Sequence, residues 1–294
     1  MVSRGVVDPL ELTPYPYGVF SVAPPTTHTA RGYDEKWVRG FSQLLDSRPT
    51  AIRNWDVTSN TEDVIYSQSL ANDVARFIEN ITPFFIEVED NASTLGLNGE
   101  DRFARVLRQL EASSQKAVET ELWLGTIAQA ESLNNTYLCD ASTATVLNGG
   151  TALEAKKALA ILEQYIASSS PTGETGVIHM PKHIASLLGT AIEFDKKKEH
   201  LVTRLGTPVS AGAGYTGAGP VGQTGAAASD TNKWMYASGT TNIHLGKSEV
   251  VNDTLSQGYN VSGNKNDMRI KATRPAVAYF DSSIHLAVRV DLSV

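Results

Sequence analysis

The last eleven residues constrain this chain most. Ile284, Leu286, Val288, Val290, Leu292 and Val294 alternate with His285, Ala287, Arg289, Asp291 and Ser293. A period of two puts the first set on one face of a β-strand and the second on the other. So long a strand needs partners along its edges and a core under its apolar face. The alternation predicts that His285 is exposed. Ala276–Phe280 reads as its hairpin partner through Asp281-Ser282-Ser283. A second pair, Lys233–Ala237 with Ile243–Val251, is expected around Ser238-Gly239-Thr240-Thr241.

Helical periods are equally clear. Phe103, Val106, Leu107, Leu110, Val118, Leu122 and Ile127 recur at steps of three and four. They predict an amphipathic helix over about 101–131, roughly 45 Å long. Asn98 and Asp101 mark its start, and Gly125 a break near its end. Thr151 and Glu154 form a capping box ahead of the stripe Ala155, Ala158, Leu159, Leu162, Tyr165 and Ile166. Val177–Met180 reads as a short strand. Pro181 then opens a helix whose stripe is Ile184, Leu187, Leu188 and Ile192. Phe85-Ile86-Glu87-Val88-Glu89 alternates as a half-buried strand.

Three stretches lack such order. Five of the twelve prolines lie in the first 25 residues, so residues 1–35 read as an extended arm. Stretched out it would reach ~115 Å. It becomes ordered only by lying on something, such as a neighbouring subunit. Residues 36–84 are mixed and polar and read as a protruding hairpin that docks on a partner. Residues 206–232 are a Gly/Ala/Thr/Ser loop with seven glycines between Gly206 and Gly225 and few side chains to anchor a core.

Composition narrows the class. At 294 residues and 31.6 kDa the chain is one large irregular domain or two. Apolar residues are 41%, enough for a core. The net charge of −7 and pI near 5.4 disfavour sequence-specific nucleic-acid binding. The single cysteine, Cys139, excludes an internal disulfide framework and a multi-cysteine metal site. No apolar run approaches the ~20 residues of a membrane span. Met1–Leu12 carries Arg4, Asp8, Pro9 and Glu11 where a signal peptide is apolar. The expectation is a soluble protein made in a reducing cytosol, so the five Asn-x-Ser/Thr sites (Asn80, Asn91, Asn134, Asn252, Asn260) read as chance matches.

Reactive motifs are weak. Gly212-Ala-Gly214-Tyr-Thr-Gly217 and Gly217-Ala-Gly219-Pro-Val-Gly222 fit the dinucleotide spacing. That chemistry needs a strand before the glycines and a helix N-terminus after them, and no helical pattern follows. His179 and His183 are four apart, but Pro181 lies between them; they read as strand-end and helix-start histidines. Asp281, Ser282, Ser283 and His285 resemble a triad in composition only. Glu87 and Glu89 read as solvated strand glutamates, Lys196-Lys197-Lys198 as a solvated face, and Cys139 as core. No catalytic residue, cofactor or metal ligand is expected, and the reading is not an enzyme.

Several segments resemble the major capsid proteins of tailed bacteriophages, in the form found among actinobacterial phages. They are Phe84–Ala130 with Glu121-Leu122-Trp123, Gly176–Pro181, Leu201–Val209, Lys233–Gly239 and Arg274–Phe280. The resemblance covers most of the chain. It implies an α+β architecture, the tailed-phage capsid (Johnson) fold. Its parts would be an N-terminal arm (1–35), an extended loop (36–84), a peripheral domain with a long spine helix (85–145 and 262–294) and an axial domain (146–261). It also implies self-assembly into hexamers and pentamers of an icosahedral shell around double-stranded DNA, in a virion made in the host bacterial cytoplasm. Implied partners are the chain itself, a separate scaffolding protein, a portal and a decoration protein, with no membrane. The subunit-interface candidates are Trp37, Arg39, Phe41, Arg53, Trp55, Tyr66, Arg76 and Tyr215. Some family members join subunits by an isopeptide bond from an extended-loop lysine. Between Lys36 and Lys116 this chain has no lysine, so no such bond is expected. Two other readings stay open: a same-fold cellular nanocompartment shell holding protein cargo, and a nucleotide-binding enzyme using the glycine loop.

Overall fold

The computed structural model describes residues 15–28, 37, 41–45, 51–56, 61–67, 76–93, 99–170, 175–252 and 267–293. The arm gives one helical turn, α1 (Val19–Val22), and a short strand, β1 (Thr26–Thr27). Next come β2 (Phe41–Leu45), β3 (Ala51–Asp56), β4 (Thr61–Ser67) and β5 (Arg76–Ile81). They nest: β3 pairs antiparallel with β4, and β2 with β5. The excursion is thus a hairpin, as its sequence suggested.

The strand β6 (Phe84–Ser93) leads to α2 (Gly99–Leu124) and α3 (Thr126–Ala130). The expected long helix is therefore broken, at Gly125, whose φ of 59° suits glycine. A Cβ there would lie 2.2 Å from the Tyr137 ring. Both carboxylate oxygens of Glu121 accept the N–H of Ile127 and so cap α3.

Short strands β7 (Thr145–Val146) and β8 (Leu153–Glu154) precede α4 (Ala155–Ser169). The expected capping box is absent. Glu154 is the N-cap residue and makes no side-chain cap, because β8 pairs with the C-terminal strand and holds it extended. Then follow β9 (Val177–Pro181), α5 (Lys182–Leu188), β10 (Ile192–Asp195), β11 (His200–Thr203) and β12 (Pro208–Gly212). Ile192, expected on the α5 stripe, instead opens β10, because α5 stops before Gly189. The last strands are β13 (Asn232–Ser238), β14 (Thr241–Leu245), β15 (Glu249–Asn252), β16 (Asp267–Phe280) and β17 (His285–Asp291).

Two larger sheets result. One has eight strands in the order β10-β11-β12-β9-β13-β17-β7, with β8 also on β17. The other has five, in the order β1-β14-β16-β15, with β6 also on β16. Neither expected C-terminal hairpin forms. β13 pairs with β17 from Asn232↔Asp291 to Ser238↔His285. β14 pairs with β16 from Thr241↔Phe280 to Leu245↔Ala276. The chain crosses between sheets twice, and the crossings bond to each other. Gly239 N donates to Asp281 O (3.0 Å) and Ile284 O (2.9 Å), and Asp281 N to Thr240 O (3.0 Å). The turn residues mark each bend but not the partner. Strands apolar on both faces are paired where two cores need them, not with the next strand along.

The eight-stranded sheet is a middle layer. On one face Ile178, Met180, Met235, Ala237, Leu286, Val288 and Val290 join Ala158, Leu159, Leu162, Ile184 and Leu188 of α4 and α5. On the other, Trp234, Tyr236 and Ala287 join Val118, Leu122 and Trp123 of α2. That second covering buries His285, only 3% exposed, and corrects its expected exposure.

The arm is corrected too. Residues 15–28 lie on this chain itself. Val19 is wholly buried, Ala211 N donates to Tyr17 O (2.7 Å), and Lys182 Nζ sits 3.3 Å from the Tyr15 ring centre.

Candidate functional site

Each reactive reading was decided by burial and partners. His179 is fully enclosed; Nε2 lies 2.8 Å from Ser238 Oγ and Nδ1 2.9 Å from Tyr215 Oη. The Ser238 hydroxyl also meets Gly239 O (2.9 Å), which can only accept, so Ser238 donates there and receives the Nε2 proton of His179. Nδ1 then accepts from Tyr215, whose oxygen accepts in turn from Ser210 (2.9 Å). This relay needs only a neutral imidazole. Burial, and secondarily His285, push the His179 pKa down to about 3. His183 is exposed on α5, so the two histidines share no site.

His285 takes no part in a triad. Its Nε2 donates to Leu138 O (3.0 Å) and its Nδ1 lies 2.9 Å from Thr143 Oγ1, which donates to Asp140 Oδ2 (3.0 Å). Asp281 Oδ1 accepts the N–H of Ser283, closing the bend. Glu87 pairs with Lys271 at 2.5 Å. Asp195 Oδ1 accepts the N–H of Lys197 within the lysine turn. Cys139 is buried, and desolvation pushes its thiol up to about 11, so it is not a ready nucleophile. Among the described residues no three His, Cys, Asp or Glu gather as a metal site, and no described helix is long and apolar enough to cross a membrane.

The glycine loop packs rather than binds. It runs from strand β12 to strand β13, so no helix N-terminus follows the glycines and the dinucleotide mechanism lacks its parts. Gly214 lies against α2, where a Cβ would sit 2.4 Å from Lys116 O. Ala218 O accepts from Trp123 Nε1 (3.1 Å) and Tyr236 Oη (3.1 Å), and Gly225 O from Trp234 Nε1 (2.8 Å). Buried Glu119 on α2 ties three segments together. Its Oε1 accepts from Val19 N (3.0 Å) and Gln115 Nε2 (2.9 Å), its Oε2 from Gly214 N (2.8 Å). Sequence reasoning missed Glu119. Its signal was the gap in the α2 stripe between Leu110 and Val118, where Ser114 and Gln115 are also buried.

A groove of about 590 Å³ lies between β6 and α2, lined by Phe84, Ile86, Val88, Lys116 and Ile127. Beside it Phe85 is 58% exposed, and Leu205, between β11 and β12, is 79% exposed. Apolar side chains so placed suit contact with other chains.

The interface candidates fare unevenly. Tyr215 is corrected: it is 5% exposed, tilted over Trp123 at 4.8 Å, and belongs to this chain's own core. Trp37 is likewise buried, with Ile81, Val277 and Tyr279, and Phe41 packs against them. Arg53 and Trp55 lie on β3, Tyr66 on β4 and Arg76 at the start of β5. Arg39 lies outside the described residues.

No known protein-family model matches the chain, and no curated protein matches its sequence. Solved structures do match its fold. The capsid of an empty GTA particle aligns over 100% of this chain and 96% of its own, with TM-score 0.55 and 12% identity. A structure of Mycobacterium phage Cain aligns over the same shares with TM-score 0.54 and 12% identity. The holo-SrpI encapsulin complex of Synechococcus elongatus PCC 7942 aligns over 96% and 93%, with TM-score 0.50 and 10% identity. The fold is therefore the α+β Johnson fold of phage capsid proteins, as the sequence resemblance implied, and the encapsulin shares it.

Proposed function

We propose that this chain is the major capsid protein of a tailed phage. Copies assemble as hexamers and pentamers into an icosahedral shell around double-stranded DNA, and the protein resides in the virion after synthesis in the host bacterial cytoplasm. The observation carrying this reading is the full-length likeness to a capsid subunit, 100% of this chain against 96% of the other. The nested hairpin of residues 41–81 and the exposed Phe85 and Leu205 support it, since a subunit needs such features only where other copies cover them. A scaffolding protein, a portal and a decoration protein are the expected partners. An acidic subunit lets the packaged genome slide. The reading assigns no enzymatic step.

The proposed division is an arm over 1–35, an extended loop over 36–84, a peripheral domain over 85–145 with 262–294, and an axial domain over 146–261. Sheet membership supports a changed grouping: β14 and β15 share the five-stranded sheet with β6 and β16, whereas β17 shares the eight-stranded sheet with β9 and β13, which favours counting β17 with the axial part and β14 and β15 with the peripheral part.

The encapsulin likeness favours a second reading, a cellular compartment holding protein cargo. Nuclease treatment of particles isolated from producing cells separates the two. Protected double-stranded DNA is expected; particles holding a single cargo protein and no DNA would transfer the chain to the second reading. With no lysine between Lys36 and Lys116, mature particles boiled in detergent should run as monomer. A covalent ladder from a loop lysine would refute that.

A further inference from the structure

Two histidines meet where the arm, the excursion and the five-stranded sheet converge. Parallel pairing sets Thr26 of β1 opposite His244 of β14, and His28 N donates to Leu245 O at 2.8 Å. His28 Nε2 then lies 3.1 Å from His244 Nδ1. The ring centres are 5.3 Å apart, so the imidazoles meet end-on and share one proton. The other nitrogen of His244 lies 3.5 Å from Tyr279 Oη of β16. Aromatic rings close the site: Trp37 stands edge-on to His28 at 5.7 Å, and Phe41 stacks on His244 at 5.0 Å. Trp37 and Phe41 pack in turn on Ile81, the last residue of β5. The end of the arm and both ends of the excursion therefore converge on one hydrogen-bonded pair.

That bond needs one N–H and one bare nitrogen. Two neutral rings can form it, as can one neutral and one charged ring. Two imidazolium ions cannot, because hydrogens would oppose each other and like charges would sit in contact. The described surroundings offer no relief. From β16, Tyr279 presents a neutral hydroxyl; Arg274, bonded through Nε to Gly246 O (2.9 Å), alternates onto the opposite face of the strand from Val277 and Tyr279. Thr26 and Thr27 of β1 and Phe41 of β2 carry none. Among the described residues no carboxylate hydrogen-bonds either ring.

We propose that His28 and His244 form a proton-sensitive latch. It holds the arm root and both ends of the excursion on the sheet edge while at least one ring is neutral, and releases them when both are protonated. Desolvation, then His28, lower the His244 pKa. A lowered histidine pKa means stability present above the free-histidine value near ~6.5 and lost as pH falls below it. The latch is a property of the chain itself and stands whether or not the shell reading does. Within a shell it would govern when these segments are free to engage neighbours.

Hydrogen–deuterium exchange of the full-length protein from pH 8 to 5, corrected for intrinsic exchange, tests it. Opening of segments 24–28 and 241–246 should rise about tenfold per pH step below ~6.5, the slope for one added proton. The α2 segment 104–124, which opens only with the fold as a whole, should exchange more slowly than these segments at every pH. His28→Phe keeps the ring packing but binds no proton, and should flatten the slope, as should His244→Phe. His28→Gln serves if either variant fails to fold. A flat wild-type profile in segments 24–28 and 241–246, or a slope surviving in the variants, would overturn the proposal.

Discussion

The two faces of the eight-stranded sheet are covered by different means. On the α4 and α5 side, aliphatic strand residues meet aliphatic helix stripes. Any side chain of similar volume could serve there, because dispersion and burial have no direction. On the α2 side, His179, Trp234, Tyr236 and His285 each carry a polar atom, and each finds a partner in the glycine loop, in a neighbouring loop or across the sheet. There the backbone at Gly212, Gly214 and Gly219 runs close enough to α2 and Trp234 to leave no room for a Cβ. The first face is specified locally, by period. The second is specified by complementarity between segments about 100 residues apart in sequence, as at Glu119 and Val19. The second should therefore be the less tolerant face.

Acid should separate the faces most strongly. His179 is neutral when folded, with a pKa near 3 against ~6.5 when unfolded, so the unfolded chain binds the proton first. Its stabilisation is complete above ~6.5 and lost as pH falls toward 3, up to about 5 kcal/mol. Burial lowers His285 in the same direction. Denaturant melts from pH 7 to 4 check this; a flat profile would mean the α2 face is hydrated and the contrast is wrong. Next is Gly214→Ala, whose Cβ would meet Lys116 O at 2.4 Å. A backbone obstacle cannot move aside as a side chain does, so a loss of about 3 kcal/mol is expected in thermal unfolding. Glu119→Gln turns one acceptor into a donor facing N–H groups. About 2 kcal/mol should be lost, with faster exchange of Val19. Leu162→Met, in the centre of the aliphatic face, should cost under about 1.5 kcal/mol. If Leu162→Met proved costlier than Gly214→Ala, the asymmetry would be reversed.

The same contrast explains what the sequence made legible. The α4 stripe, the β17 alternation and the strand at Val177 stood out because each is a local period written in apolar residues. Gly125 was legible as a break because glycine relaxes a local angle. The pairing of β13 with β17 and of β14 with β16 was not, because a two-residue bend looks alike whether the chain turns back or crosses to another sheet. His285 read as exposed because alternation tells faces apart but not what covers them. Tyr215 read as a contact residue because a glycine-rich loop offers no period, and its burial depends on Trp123 and His179, which lie far away in sequence. The arm at 15–28 looked free because its anchors, Tyr17 and Val19, find partners only across the fold.

The most direct test of the shell reading is negative-stain electron microscopy of the protein co-expressed with its neighbouring genes, with its mass measured in solution. Uniform shells bearing five- and six-fold rings, at masses of many subunits, are the predicted result. A compact monomer or dimer under every such condition would contradict it.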